Sequence, residues 1–302
     1  MTRLAIKVDV DTLRGYLEGV PRMLDLFKKK ELRASIFFSF GPDNSGKAIR
    51  RIFRPGFISK MMRTKAPSTY GIKTLMYGTL LPAPLIVPKA PEIVRRAAQE
   101  GHETGIHAWD HVYVQDRLDK ISEAEYLALY KKAEALYKEI CGTTPTSIAA
   151  PGWQVSEAVL KTEQDLGLAF ASDVRGYEPF LPIYNGVEYS VPQIPTTLPT
   201  MDEIYGLPGI DDSTLLQAWL AGLDKVWNVV TVHAEMEGIS KIGVFEKFLD
   251  MATSRGVTFM TLGEYAKEAP LPRCEIIKGT LTGRAGTLAV QQQNGKERLK
   301  YA

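Results

Sequence analysis

Strand-like and helix-like segments alternate about seven times along the chain, and that rhythm constrains the fold more than any single residue does. Short apolar runs at 4–10, 33–40, 104–106, 146–149, 169–172, 189–194, 228–232 and 257–260 are the strand candidates. Between them lie amphipathic stretches at about 19–30, 92–100, 122–140, 156–166, 213–223 and 243–254, with a final short helix from about 263. The helix at 122–140 is marked at its start. Ser122 caps it, Glu125 stands in the capping-box position, and Leu127, Tyr130 and Leu136 recur at helical spacing. The run 33–40 is hydrophobic throughout, as a strand covered on both faces must be. A strand that reaches the next strand through a helix pairs with it in parallel, and the helices then cover the sheet. The alternation therefore predicts an α/β fold, a parallel barrel-like sheet whose functional residues stand at the C-terminal ends of its strands. No internal repeat or linker divides the 302 residues, so one domain is expected. The stretch from about 270 is polar and glycine-bearing, and reads as a tail or edge element.

Polar residues collect at those strand ends. With period two, Asp9 and Asp11 point the same way where the first strand stops, although solvated helix-capping acids would look alike. The stretch 101–111 holds three of the four histidines, His102, His107 and His111. His107 and His111 stand four apart, so a helical turn would present both from one face, and the strand just before them places the pair where a strand gives way to a loop or helix. An isolated pair at that spacing is more often two ordinary histidines; the strand-end position and the two carboxylates favour metal ligands here. Other strand ends deliver Trp153, then Asp173 and Arg175, then His233 and Glu235. One carboxylate and two imidazoles suffice for one divalent metal ion, and zinc, cobalt, manganese and iron all accept such donors. A second carboxylate can take a proton from water, and a histidine on a distant strand can protonate a leaving amine. Hydrolysis of an amide needs that division of labour. Glu235 reads as a ligand-orienting or substrate-binding residue or as a surface charge, and Trp153 and Trp109 as walls of a sugar site or as core.

Composition removes several classes. With 45% hydrophobic and 24% charged residues the chain has the make-up of a soluble globular protein, and 302 residues bury a substantial core. A net charge of +2 carries no global message, so electrostatics must be read locally. Cys141 and Cys274 are far apart and in no metal-like spacing, which argues against a disulfide framework. The N-terminus runs straight into a strand and no apolar run reaches a membrane-spanning length, so a cytoplasmic protein is expected. One stretch breaks the rhythm. From Asn44 to Pro91 there is no acidic residue, while Lys47, Arg50, Arg51, Arg54, Lys60, Arg63, Lys65, Lys73 and Lys89 alternate with bulky apolar side chains. Such a basic amphipathic insertion suits an anionic lipid surface, and its aliphatic content fits lipid better than nucleic acid. A subdomain packed on the body by its apolar side would have a similar sequence.

Val8-Asp9-Val10-Asp11-Thr12, His107-Ala108-Trp109-Asp110-His111 and Thr231-Val232-His233 resemble the first, second and last motifs of the polysaccharide deacetylase (NodB-homology) family. The resemblance implies an irregular seven-stranded (β/α) barrel. It also implies Asp9 as general base, Asp11, His107 and His111 as metal ligands, and His233 as general acid. The chain departs from the family at two points. Asp9 and Asp11 are separated by one residue where the commoner motif has adjacent aspartates, and 150–153 lacks the arginine of the third motif, for which Arg175 is the expected substitute. Further runs, among them Glu18-Gly19-Val20-Pro21, Gly41-Pro42-Asp43-Asn44 and Pro192-Gln193-Ile194-Pro195, resemble the branch whose members deformylate a formamido sugar linked to undecaprenyl phosphate in lipid A modification and cationic-peptide resistance. That resemblance implies formate as product, a lipid-linked sugar as substrate, and peripheral association with the inner membrane through residues 44–91. A peptidoglycan or other polysaccharide N-deacetylase is the second reading. A membrane- or nucleic-acid-binding protein with a degenerate site is the third, and the intact Asp9, Asp11, His107, His111 and His233 argue against it.

Overall fold

The computed structural model describes residues 1–48, 71–223, 226–284 and 286–292. At its centre is β1 (Arg3–Val10), every residue of which after Arg3 is buried. On one side β1 pairs in parallel with β8 (Trp227–His233), from Arg3 opposite Trp227 to Asp9 opposite His233. On the other side its C-terminal half pairs with β2 (Ser35–Ser39), and its first three residues pair with β9 (Thr258–Met260). From β2 the sheet continues in parallel through β3 (Glu103–Ala108), β4 (Ser147–Ile148) and β5 (Phe170–Ala171).

The gap between β5 and β8 is closed by the extended segment 192–198. Ala171 N–H donates to Pro192 O and Ile194 N–H to Ala171 O, while Thr197 and Leu198 N–H both donate to Val229 O. β1 to β5, this segment and β8 thus form an irregular ring of seven. Of the expected strand at 189–194, residues 192–194 belong to that closing segment, while Tyr189 N–H donates to Pro182 O beside the second sheet. Pro192, Pro195 and Pro199 have no N–H to give a ladder, so only isolated bridges form, at Gln193 and Thr196.

Period two decides what faces where. Leu4, Ile6, Val8 and Val10 join the outer core with Val20, Met23, Leu24 and Phe27 of the helix Val20–Lys29, whereas Ala5 packs inward with Phe37, Ala149, Phe170, Ile194 and Val229. The interior is tight. A Cβ on Gly105 would lie 2.6 Å from the Phe37 ring, so β3 carries a glycine where that ring crosses the barrel.

A second, four-stranded sheet lies beside the barrel in the order β11-β10-β6-β7, built from β6 (Leu181–Tyr184), β7 (Val187–Glu188), β10 (Arg273–Gly279) and β11 (Leu288–Gln291). Its last two strands occupy the stretch read from sequence as a tail or edge element. They brace the site: Ala289 N–H donates to Trp153 O and Arg175 N–H to Ala289 O. Of the 44–91 insertion, residues 49–70 lie outside the described residues, and the remainder includes the short helix Ile72–Met76. Among the described residues no helix is long and apolar enough to cross a membrane.

Candidate active site

The inward column of β1 reads Ala5, Lys7, Asp9, with Asp11 one step past the strand. Asp9 is buried and in register with His233 on β8, so the two side chains enter the barrel mouth side by side. Asp11 is held from behind by Glu235, whose Oε1 accepts hydrogen bonds from Asp11 N–H (2.9 Å), Thr12 N–H (2.6 Å) and the Thr12 hydroxyl (2.8 Å). Burial, together with the Asp11 carboxylate, pushes the Glu235 carboxyl up to about 8.

The histidine pair converges in another way than a shared helical face. His107 belongs to β3, and His111 opens the helix His111–Arg117, which Asp110 caps by accepting from Tyr113 N–H at 3.0 Å. Along the β2–β3 ladder Phe38 faces Ile106 and Ser39 faces Ala108, so His107 is the extra residue of a β-bulge. A bulge re-aims a side chain, and here it brings the two imidazole rings to 5.1 Å between centroids.

Asp11, His107 and His111 offer one donor atom each, all within 4.8 Å of one another. His107 Nε2 is 3.1 Å from Asp11 Oδ1 and His111 Nε2 is 3.4 Å from Asp11 Oδ2. The opposite nitrogen, His107 Nδ1, lies 2.7 Å from Ala149 O, a partner that can only accept. The neutral ring with its proton there turns the Nε2 lone pair toward Asp11. Asp11 Oδ1 is buried and receives no well-directed hydrogen bond. A carboxylate oxygen and an imidazole lone pair repel each other unless a cation lies between them, so these residues fit a divalent metal ion with mixed nitrogen and oxygen donors. The charges agree. Burial alone would raise the Asp11 carboxyl, yet His111, His107 and His233 hold it far below the ordinary carboxylate range. Burial would lower the His107 imidazole, and the Asp9 and Asp11 carboxylates outweigh it.

On the opposite wall, the His233 backbone N–H donates to Glu237 Oε2 at 2.9 Å, and the imidazole meets the Trp153 ring edge-on at 6.4 Å. Burial lowers the affinity of His233 for a proton, but Asp202, Asp11, Glu237 and Asp9 outweigh that and raise it to about 9. Trp153 sits at a positive φ of 54°, in the left-handed region that costs a bulky residue energy, and its indole N–H donates to Thr196 Oγ1 at 3.0 Å. The π-helical turns Gly15–Gly19 and Met236–Ser240, which follow the ends of β1 and β8, pack together. A Cβ on Gly19 would stand 2.0 Å from Ala234 O, so only glycine permits that approach.

Two expected residues fall outside this group. Asp173 is fully buried behind the loop, accepting from Ala150 N–H at 2.5 Å and Gln193 Nε2 at 3.0 Å, and it fixes the loop that carries Trp153. Arg175, expected to replace the family arginine, is fully buried and committed to Glu203 at 2.5 Å and to Leu198 O at 2.7 Å, beside the Trp153 ring. The cation next to Asp9 is Lys7, its Nζ 3.3 Å from Asp9 Oδ2. Lys7, Asp202 and Glu237 were missed in the sequence. For Lys7 the signal existed, because it alternates with Asp9 and Asp11; Asp202 follows a proline-rich loop and has no periodic signal. Also missed was the root of the insertion, where Asp43 Oδ2 accepts from Leu13 N–H at 2.8 Å and Asn44 Nδ2 donates to Asp110 Oδ2 at 2.6 Å.

Residues 11–171, more than half of the chain, match the sequence model of the family described as polysaccharide deacetylase. The chain belongs to the polysaccharide deacetylase family. Among individual proteins, a “Probable 4-deoxy-4-formamido-L-arabinose-phosphoundecaprenol deformylase ArnD” of Shewanella sediminis is 37% identical over 298 residues, spanning 96% of this chain and 95% of its own. A protein of the same description from Wigglesworthia glossinidia brevipalpis is 31% identical over 284 residues, spanning 91% and 97%. The crystal structure of a “probable Polysaccharide deacetylase from Pseudomonas aeruginosa PAO1” superposes with a TM-score of 0.61 over 89% of this chain and 92% of its own. At 14% identity that likeness shows the fold alone, and it agrees with the irregular barrel.

Proposed function

We propose that this chain hydrolyses the N-formyl group of 4-deoxy-4-formamido-L-arabinose linked to undecaprenyl phosphate and releases formate. The observation that carries the reading is the meeting of Asp9, Asp11, His107, His111 and His233 at one barrel mouth, in a chain related along nearly its whole length to two deformylases. The experiment is formate release from the lipid-linked formamido sugar, run beside an N-acetylated peptidoglycan control. Formate from the lipid substrate supports the reading. Activity on the polymer alone would replace it with polysaccharide deacetylation at the same site.

Asp11, His107 and His111 would hold one divalent metal ion, which when bound supplies Lewis-acid polarisation of the formyl oxygen and of water. Asp9, with Oδ1 unbonded, takes the proton from the water that attacks the formyl carbon. His233, raised to about 9, carries a proton at neutral pH and delivers it to the sugar nitrogen, which leaves only once protonated. Trp153 forms an apolar wall behind His233, and Glu235 keeps the Asp11–Thr12 backbone in place.

A lipid-linked substrate calls for access to a membrane surface. Leu17, Ile72, Leu80 and Leu85 are exposed near the described part of the insertion, with Lys73 and Lys89 exposed among them. This apolar and basic shoulder would dock on anionic lipid. Its root, through Asp43 and Asn44, is bonded to the segments that carry Asp11 and His111, so docking would set the barrel mouth at the headgroup level.

A further inference from the structure

Lys7 is a fully buried ammonium inside a parallel barrel, where apolar side chains are the rule. Its Nζ donates to Ser172 O at 3.0 Å, lies 3.3 Å from Asp9 Oδ2, and stands over the rings of Trp153 at 5.3 Å and Phe37 at 5.9 Å. A buried ammonium without a counter-charge is strongly unfavourable, and a carbonyl with two ring faces supplies none. The fold could have filled this position with a valine at no electrostatic cost. The contact takes up Oδ2 of Asp9 and leaves Oδ1 buried without a hydrogen-bond partner. Lys7 reaches Asp9 from below, one step down the same inward column, and Ser172 O anchors it from β5's end of the barrel.

We propose that Lys7 is a positioning residue for Asp9: its ammonium holds Oδ2 so that Oδ1 is the oxygen turned toward the reacting water. The inference rests on the reading of Asp9 as base, and it assigns the third-motif cation to the first strand and not to Arg175.

The test is Lys7→Met, which keeps the stem and removes the charge. Formate-release kinetics should show kcat reduced by roughly a hundredfold with KM within about twofold, because the substrate's binding groups are untouched. Calorimetric binding of zinc to the stripped protein should match the parent, since Lys7 touches no ligand of the cluster. In Asp9→Asn the same lysine substitution should cause no further loss of activity. Wild-type kcat in Lys7→Met, weakened zinc binding, or a loss that multiplies with Asp9→Asn would each overturn the proposal. Should Lys7→Met not fold, Asp9→Asn is compared with Lys7→Met/Asp9→Asn by thermal melting. The pairing predicts that the single variant, which strands the ammonium, melts below the double one, and an equal or reversed order overturns it. If Asp9→Asn kept full formate release, the reading of Asp9 as base would fail instead.

Discussion

At the scale of single residues, the chemistry depends on how each side chain is aimed. His107→Ala or His111→Ala removes one of three donors while leaving the barrel's core untouched. Either variant should retain its circular dichroism and lose stoichiometric zinc in equilibrium dialysis; retained binding would place the metal elsewhere. His233 gives a pH prediction. On the proposed function its proton goes to the leaving nitrogen, and Asp202, Asp11, Glu237 and Asp9 raise it to about 9 despite burial. The formate-release rate should therefore hold through neutral pH and fall as pH rises through about 9. Asp202→Asn removes the largest of the raising charges and should move that limb to lower pH. A limb that stays in place would disconnect Asp202 from His233. Most of these residues were legible because period two and the spacing of the histidines point at them. Lys7 was equally legible, standing in the alternation Lys7, Asp9, Asp11. What the alternation leaves open is whether that lysine is buried, and the structure shows that it is. Arg175 was misread for the opposite reason: a strand-end arginine reads as functional, and only the structure supplies Glu203 as its partner.

At the scale of elements, the site is shaped by departures from regularity. The bulge at His107, the left-handed Trp153 and the paired π-turns all lie within the site's walls. Alternation of apolar and polar residues announces regular strands, and it cannot announce these. It announced only the start of the closing segment 192–198, where Pro192 and Pro195 leave isolated bridges in place of a ladder. β10 did carry a period, with Cys274 and Ile276 buried and their neighbours less so, but the alternation covers only its first half and follows a proline-rich turn. Gly19→Ala tests the turns. Its Cβ would meet Ala234 O at 2.0 Å, so stability should fall by about 1–3 kcal/mol in denaturant unfolding. The buried pair Glu163 and Asp173 tests the support of the Trp153 loop. Burial raises both carboxyls, Glu163 further because Asp173 lies beside it. A carboxyl raised on folding stabilises fully below its unfolded value, and that contribution is lost as pH rises through the folded value. Glu163→Gln should therefore flatten the decline of melting temperature from the ordinary carboxylate range upward, and an unchanged slope would contradict it.

At the scale of the whole molecule, the proposed function asks one barrel to combine a buried charge cluster with access to a lipid-borne substrate. The cluster is reached from the C-terminal ends of β1, β3 and β8, and the shoulder of Leu17, Ile72, Leu80 and Leu85 emerges from neighbouring segments. Replacing Ile72 and Leu80 together by Asp should reduce partition onto anionic vesicles by about tenfold or more in flotation. Hydrolysis of a short-chain, soluble formamido sugar phosphate should be unaffected, and equal loss on both substrates would tie the shoulder to the site and not to lipid. The parallel α/β architecture was legible because strand–helix alternation permits few solutions. The site's place at the strand ends followed from it. The small second sheet was less so, since its strands are brief and partly exposed.

In the proposed function Asp11, His107 and His111 are the metal centre of a deformylase. The most direct measurement is formate release from the undecaprenyl-phosphate-linked formamido sugar by chelator-stripped protein titrated with a divalent metal. Stripped protein should release no formate, recovery should saturate near one equivalent, and His107→Ala should show none. Full formate release by the stripped protein, or recovery in the His107 variant equal to the parent's, would contradict that reading.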